Sequence, residues 1–377
     1  MRILALVNAF GDGVSGVDVV ARTYCSRLRK DGLDIIVSSR TRTQKRGWMK
    51  ANGVPVYYVG TRVERRSWSN IPYQAYAYFK KVEDTVSEVK SLKLEPNLIW
   101  LHYGTVDCLN VGFKAFPEVP KIVHVHGVWT RDFVEQFVKQ FRLLGNLSVK
   151  PLEYLEKVYL KRADKIIVYS EWMKMLVENK VGKGKLMYTV YNPVDRELFD
   201  PTVYSMSRED FGLRDEDMVV GYVGKFTPLK GTEYILKAAN ILKSHKFVLV
   251  GREVAMPTGH YQTGAPSNVI FHPPISHELV PSFMKMIDVY IQPTLRDGVE
   301  IPIAEALAMN KPVVTSDHPE RRLLYEDSVY YCRPRNAEDL AEKIIEADKK
   351  GILSGSDQIV AKFDVEKNIR ELKAILR

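Results

Sequence analysis

Short apolar runs alternate with amphipathic stretches along the chain, and the cycle occurs twice. In the first half, ILALVN (3–8), DIIVSS (34–39), VPVYYV (54–59), NLIWLH (97–102), KIVHVH (121–126) and KIIVYS (165–170) read as strands. In the second half the strands are MVVGYVG (218–224), KFVLVG (246–251), DVYIQP (288–293), KPVVTS (311–316) and SVYYCR (328–333). Between them lie stretches whose apolar residues recur at three and four positions, such as 17–32, which stops at Gly32, and 232–244 and 336–350. Short apolar strands alternating with helices predict parallel sheets covered on both faces, an α/β class.

The segment YNPVDRELFDP (191–201) carries two prolines and an Asn-Pro turn, and the strand–helix cycle restarts at Met218. The expectation is two doubly wound Rossmann-like domains, 1–196 and 197–363, with a ligand cleft at the carboxyl ends of their strands.

Length and composition agree with this reading. A chain of 377 residues, 45% hydrophobic and 27% charged, can bury two cores. No apolar run reaches the ~18–20 residues of a membrane-spanning helix. The opening MRILALVNAF runs into a Gly-rich turn with no cleavage signal, so it is read as a first strand and the protein as cytoplasmic. Cys25, Cys108 and Cys332 give neither a disulfide framework nor a metal-binding spacing.

Charge changes the picture more. Residues 1–200 carry a net +11 and residues 201–377 a net −2, within a total of +9. A basic first half predicts an anionic partner there, such as a membrane surface or a phosphorylated acceptor. The strongest clusters are SSRTRTQKRGWMK (38–50) and TRVERRSW (61–68), each with a tryptophan, and both are expected in loops at the strand ends.

The most informative stretch is PTLRDGVEIPIAEALAMNKPVV (293–314). A strand ends at Pro293 and a helix begins near Ile301 or Pro302, where proline suits the first turn. Asp297 precedes that helix and Glu305 lies one turn inside it. Gly298 lets the backbone approach a ligand, and helix N-terminal N–H groups attract anions. Equally, Asp297 can be a helix cap and Glu305 a complement to the helix dipole. In GYVGKFTPLKG (221–231), Gly224 ends a strand, and Lys225 and Lys230 stand at the turn into the next helix, where two cations suit a diphosphate. Gly11, Gly13, Ser15 and Gly16 form a glycine-rich turn after the first strand. His124 and His126 are two apart, hence on one strand face, and His102 ends the preceding strand. A metal pair lacks an evident third ligand here, and a hydrogen-bonded strand-end histidine is the plainer reading.

These stretches resemble the family 4 retaining glycosyltransferases of the GT-B fold. Residues 293–314 are similar to the family's Glu-x7-Glu signature, with Asp297 and Glu305 at the acidic positions and Pro302, Ala306, Ala308 and 312–314 also matching. The departures are Asp for the first Glu, Glu300 for the second glycine, and Asn310-Lys311 for the glycine before the proline–valine pair. The 221–231 segment is similar to GRxxxxKG, with lysine at the arginine position. Ser15 and Gly16 stand at the glycine pair of the first domain, Ser170-Glu171 at a serine–glutamate pair, and 191–195 at the interdomain segment.

The resemblance implies that Asp297 faces the transferred sugar and that Glu305 binds the ribose. Lys225 and Lys230 grip the diphosphate, and His126 contacts the donor sugar. Gly16, Gly224, Gly298, Val299, Glu300 and Ile301 line the donor, while Ser15 and His102 lie on the acceptor side. It implies a helix at 364–377 packed back on the first domain. It implies transfer of a sugar from a UDP-, GDP- or ADP-sugar to a glycan, lipid or small-molecule acceptor, with retention. No metal and no cofactor beyond the donor are expected, because the lysines replace Mg²⁺. A peripheral contact with anionic membrane is expected, and no specific nucleic acid. A nucleotide-sugar 2-epimerase and a non-catalytic nucleotide-sugar binder share the same fold and stay open on sequence. Charge alone also admits a nucleic-acid binder, which no reading motif supports.

Overall fold

The computed structural model describes residues 1–8, 10–11, 16–40, 46–60, 71–103, 106–127, 144–254, 259–296 and 300–377. Two compact units emerge, one of Met1–Pro193 with Glu366–Arg377 and the other of Val194–Val365.

The first unit is built on an eight-stranded sheet of order β3-β4-β2-β1-β5-β6-β7-β8. The strands are β1 (Arg2–Val7), β2 (Asp34–Ser39), β3 (Gly47–Ala51), β4 (Val54–Tyr58), β5 (Leu98–Tyr103), β6 (Lys121–Val125), β7 (Lys165–Val168) and β8 (Met187–Thr189). The helices described in it are α1 (Gly16–Lys30), α2 (Ile71–Ser91), α3 (Val106–Ala115), α4 (Leu144–Arg162) and α5 (Glu171–Val181). Its central strands β1, β5 and β6 are almost wholly buried, as continuous apolar runs in a doubly covered parallel sheet should be. Strand β3 departs from the loop expected over 38–50. It pairs antiparallel with β4 through Asn52-Gly53, whose φ values of 50° and 79° are both positive, as a type I′ hairpin turn requires. Trp48 and Lys50 therefore sit on an edge strand, with Trp48 51% exposed and packed edge-on against Tyr57. Arg42, Lys45, Arg65 and Arg66 lie outside the described residues.

The second unit carries a six-stranded, all-parallel sheet of order β11-β10-β9-β12-β13-β14. Its strands are β9 (Val219–Phe226), β10 (Lys246–Glu253), β11 (Val269–His272), β12 (Val289–Gln292), β13 (Val313–Ser316) and β14 (Tyr330–Cys332). Its helices include α6 (Thr232–Ile241), α7 (Val280–Met286), α8 (Ile301–Ala308), α9 (Pro319–Tyr325), α10 (Ala337–Lys350) and α11 (Ser356–Lys362). Asn336 caps α10 by accepting from Asp339 N at 2.7 Å, and the apolar stripe of that helix, with Leu340, Ala341 and Ile344, packs into the core with Phe247, Ile291 and Val314. In both sheets the strand order reverses beside the first strand of the unit. Chain direction diverges between β1 and β5 in one and between β9 and β12 in the other, which opens a crevice at the carboxyl ends of those strands.

The last helix, α12 (Val365–Leu376), belongs to the first unit. Asn368 Nδ2 donates to Tyr191 O at 2.9 Å, Lys165 Nζ to Ile375 O at 2.6 Å, and Lys373 pairs with Asp31 at 2.8 Å. Leu372 is fully buried. Replacing Leu372 with Ala should lower unfolding free energy by about 2–5 kcal/mol through lost burial and a residual cavity. The same change at the exposed Tyr204 should stay within about 0.5 kcal/mol. Urea denaturation of both variants checks this, and equal stabilities would contradict the packing of α12.

Candidate functional site

In the second unit two loops leave neighbouring strands at the reversal point. The first follows β9. Thr227 opens a single 3-10 turn, Pro228–Lys230, and its Oγ1 accepts from Lys230 N at 3.2 Å. Gly231 ends the turn at φ 74°, and a Cβ there would lie 2.2 Å from Pro293 O, so only glycine lets this loop meet the one that follows β12. The two are tied directly, Leu295 N donating to Leu229 O at 2.8 Å. Lys225 stands near the end of β9, and its register partner on β10 is Arg252, a further cation at the same edge.

The loop after β12 is held from beneath. Arg321, wholly buried on α9, donates to Thr294 O and Ser316 O at 3.2 Å and to Arg296 O at 3.0 Å. Gln292 Nε2 donates to Thr294 Oγ1 at 3.0 Å, and His318 Nε2 lies 3.1 Å from Thr294 O. Asp297, Gly298 and Val299 lie outside the described residues. Glu300 is an extended residue that precedes α8, and its side chain makes no capping bond. That carboxylate instead accepts from Lys230 Nζ at 2.5 Å. Burial pushes the Glu300 carboxyl upward, but the adjoining Lys230 ammonium, the Arg321 guanidinium and a hydrogen bond from Thr294 together hold it below the usual carboxylate range.

Ile301 starts α8 with Pro302 in its first turn, and Glu305 is 3% exposed. His277, from the 3-10 turn His277–Leu279, places Nε2 2.7 Å from Glu305 Oε1 and packs its ring against Phe199. The structure thus brings together Lys230, Glu300 and Glu305 with His277 and Arg321, which sequence reasoning missed, as it missed Arg252 beside Lys225. The partners of His277 and Arg321 are more than twenty residues away for the most part, so no local pattern marks them. Two cations at the mouth of a parallel sheet, beside a helix start, can bind a diphosphate, and a buried carboxylate one turn inside can accept two vicinal hydroxyls.

In the first unit the glycine-rich turn is described at Gly11 and Gly16. Asp18 accepts from Gly11 N at 2.7 Å, and Gly16 is exposed at the first position of α1. Gly13 and Ser15 lie outside the described residues. A cavity of about 30 Å³ opens at the carboxyl ends of β1 and β2, lined by Asn8, Ser38, Ser39 and Arg40 among others. Arg40 donates to Asn8 Oδ1 at 2.9 Å. His102 and His124 are register partners on β5 and β6 and fully buried, while His126 just beyond β6 is half-buried. His102 Nδ1 lies 3.0 Å from His126 Nε2. Burial pushes His126 down to about 3 and drives His102 and His124 well below the ordinary histidine value, so all three rings are neutral at pH 7.

Comparison with known proteins agrees with this architecture. Residues 14–198 match the family model described as Glycosyltransferase Family 4, and residues 205–354 match Glycosyl transferases group 1. A D-inositol 3-phosphate glycosyltransferase of Mycobacteroides abscessus is 26% identical over 170 residues, 43% of this chain and 38% of that protein. The putative teichuronic acid biosynthesis glycosyltransferase TuaH of Bacillus subtilis is 28% identical over 195 residues, 50% of this chain and 49% of TuaH. The matched segments thus span less than half the length of these relatives. Sucrose-phosphate synthase from Thermosynechococcus elongatus superposes with a TM-score of 0.79 at 18% identity, covering 100% of this chain and 98% of that one. Anabaena HepE, solved in complex with UDP and glucose, gives 0.74 at 19% identity, with 100% and 99% covered. With a GT-B fold over its full length and two family models that run from residue 14 to residue 354, the chain belongs to the family 4 glycosyltransferases, the glycosyl transferases group 1.

Proposed function

We propose that the protein transfers a sugar from a nucleotide diphosphate donor to an acceptor hydroxyl, with retention of anomeric configuration and without a metal ion. The observation that carries this reading is the meeting of Lys230, Glu300 and Glu305 at the reversal point of the second sheet. The ribose takes the Glu305 carboxylate, which His277 holds in place. The diphosphate takes Lys225 and Lys230, and Arg252 adds positive potential at that edge. As the sugar–phosphate bond breaks, negative charge grows on the leaving diphosphate. Lysines already in position stabilise that charge without reorganisation. The acceptor hydroxyl attacks the face that the diphosphate leaves, and a leaving phosphate oxygen takes its proton. In this scheme Asp297 and His126 contact the transferred sugar, and no protein nucleophile is needed. The UDP and UDP-glucose bound to HepE support a nucleotide-sugar donor.

For the acceptor we propose an anionic glycan or lipid-linked molecule on the first unit, placed at the inner face of a membrane. The name of one relative carries a phosphate and that of the other an acid. The +11 balance of residues 1–200 points the same way, as does Arg40 in the cavity of the first unit. Trp48 and Met49 are exposed on an edge strand whose neighbours in sequence are basic, a composition suited to an anionic interface. No helix among the described residues is long and apolar enough to cross a membrane.

Removing Lys230 or Glu305, each by substitution with Ala, should slow transfer roughly tenfold to a hundredfold, since a charge-assisted contact contributes about 1.5–3 kcal/mol. Folded variants with near-wild-type rates in a radiolabelled-donor assay would remove these residues from the site. Glu300→Gln should act in the opposite direction on binding. It frees Lys230 from a partly exposed pair, so calorimetry with UDP should show affinity about three- to tenfold tighter. Unchanged affinity would mean that Glu300 does not compete with the diphosphate. EDTA should not lower the rate, whereas loss restored by Mg²⁺ or Mn²⁺ would contradict a metal-free transfer. Finally, sedimentation with liposomes should show binding only to anionic lipid, weakening as salt screens the charges. Charge reversal at Arg42, Lys45, Arg46, Arg65 and Arg66 should abolish it while sparing donor binding, and indifference of the wild type to anionic lipid would refute the membrane role.

A further inference from the structure

We propose that His102, His124 and His126 form a binding site for a zinc-class divalent ion in the first unit. Strand geometry puts them together. His124 and His126 are two residues apart, so both project from the same face of the sheet. His102 is the register partner of His124 on the adjacent parallel strand and projects from that same face. One ring nitrogen from each lies within 4.8 Å of the others. Zinc–imidazole bonds of about 2.0–2.1 Å set tetrahedral ligand nitrogens about 3.3 Å apart. Small ring rotations close that difference, and His102 Nδ1 and His126 Nε2 are already 3.0 Å apart.

The second argument is polar accounting. His102 Nε2 and both ring nitrogens of His124 are buried with no hydrogen-bond partner among the described residues. An unsatisfied buried polar atom costs free energy, and native structures rarely carry three in one cluster. A neutral imidazole offers one lone pair, so an ion bound through His102 Nδ1, His126 Nε2 and one nitrogen of His124 takes up one orphaned nitrogen of His124, while the second nitrogen of each ring stays an N–H donor. Trp100 and Tyr24 wall the cluster with aromatic surface. His126 is half-buried, the most accessible of the three. Three nitrogen ligands select a borderline ion such as Zn²⁺ and discriminate against Mg²⁺, which takes oxygen. The site stands on strand geometry and ligand chemistry. Its consequence does rest on the functional reading above: an ion on His126 occupies the group assigned to the sugar, so zinc slows transfer and a chelator restores it.

The test begins with the full chain stripped by a chelator and dialysed against Zn²⁺. One zinc should be retained per chain, and X-ray absorption at the zinc edge should count three imidazoles. His124→Asn and, separately, His102→Asn should each weaken zinc binding by roughly tenfold or more. Should either variant fail to fold, the ligand count on the wild-type protein decides alone. Absence of retained zinc, or a zinc environment without imidazole, overturns the proposal. Zinc that loads the three histidines yet leaves transfer unslowed supports the metal site and removes His126 from the sugar contact.

Discussion

Among the described residues every strand ladder but one, β3–β4, runs parallel. Each parallel strand must leave the sheet at one edge and return to the other through a crossover. The segments after the strands are therefore forced to share one edge, and at a reversal of strand order two of them diverge and leave a crevice. The candidate site follows from that constraint. The loop after β9 supplies Lys230, and the segment after β12 supplies Glu300 and, inside α8, Glu305. Gly231 lets the two loops touch, and the fully buried Arg321 fixes the carbonyls of Thr294 and Arg296 from below.

Charge then decides what the edge can do. Lys230 and Glu300 are only partly exposed and satisfy one another, so the lysine is held in a defined position before any ligand arrives. Preorganised charge is what stabilises a developing anion. The same carboxylate stands in place of a glycine in the family pattern, and in the proposed function it competes with the diphosphate for the lysine. Glu305 has a parallel arrangement, its carboxylate oriented by the His277 ring. Both carboxylates thus have a protein partner, which in the proposed function a ligand must share or displace.

The strands of the core were legible because burial on both faces writes them as unbroken apolar runs, as in LIWLH on β5 and VVTS on β13. Edge strands are written differently. Gly47–Ala51 is largely exposed and follows basic residues, so it reads as loop, although the Asn52-Gly53 pair after it is a hairpin signal. Strands β8 and β11 lie at the sheet edges and are only partly buried at every position, so neither is written as a fully buried run. At the site, Lys230 and Glu305 were legible because each sits at a turn or helix start with its own spacing. His277 and Arg321 were not, since each acts on a loop reached only through the folded sheet. The third histidine of the 102–124–126 cluster was likewise invisible as a ligand until register paired β5 with β6.

The central claim is that the second unit holds a nucleoside diphosphate between the loops after β9 and β12. A structure determined with bound UDP, or with ADP or GDP where UDP does not bind, tests it most directly. The account predicts ribose hydroxyls on the Glu305 carboxylate and the diphosphate on Lys225 and Lys230, with the Lys230–Glu300 distance lengthened from 2.5 Å. A nucleotide bound away from Glu305, with the Lys230–Glu300 pair intact, would contradict it.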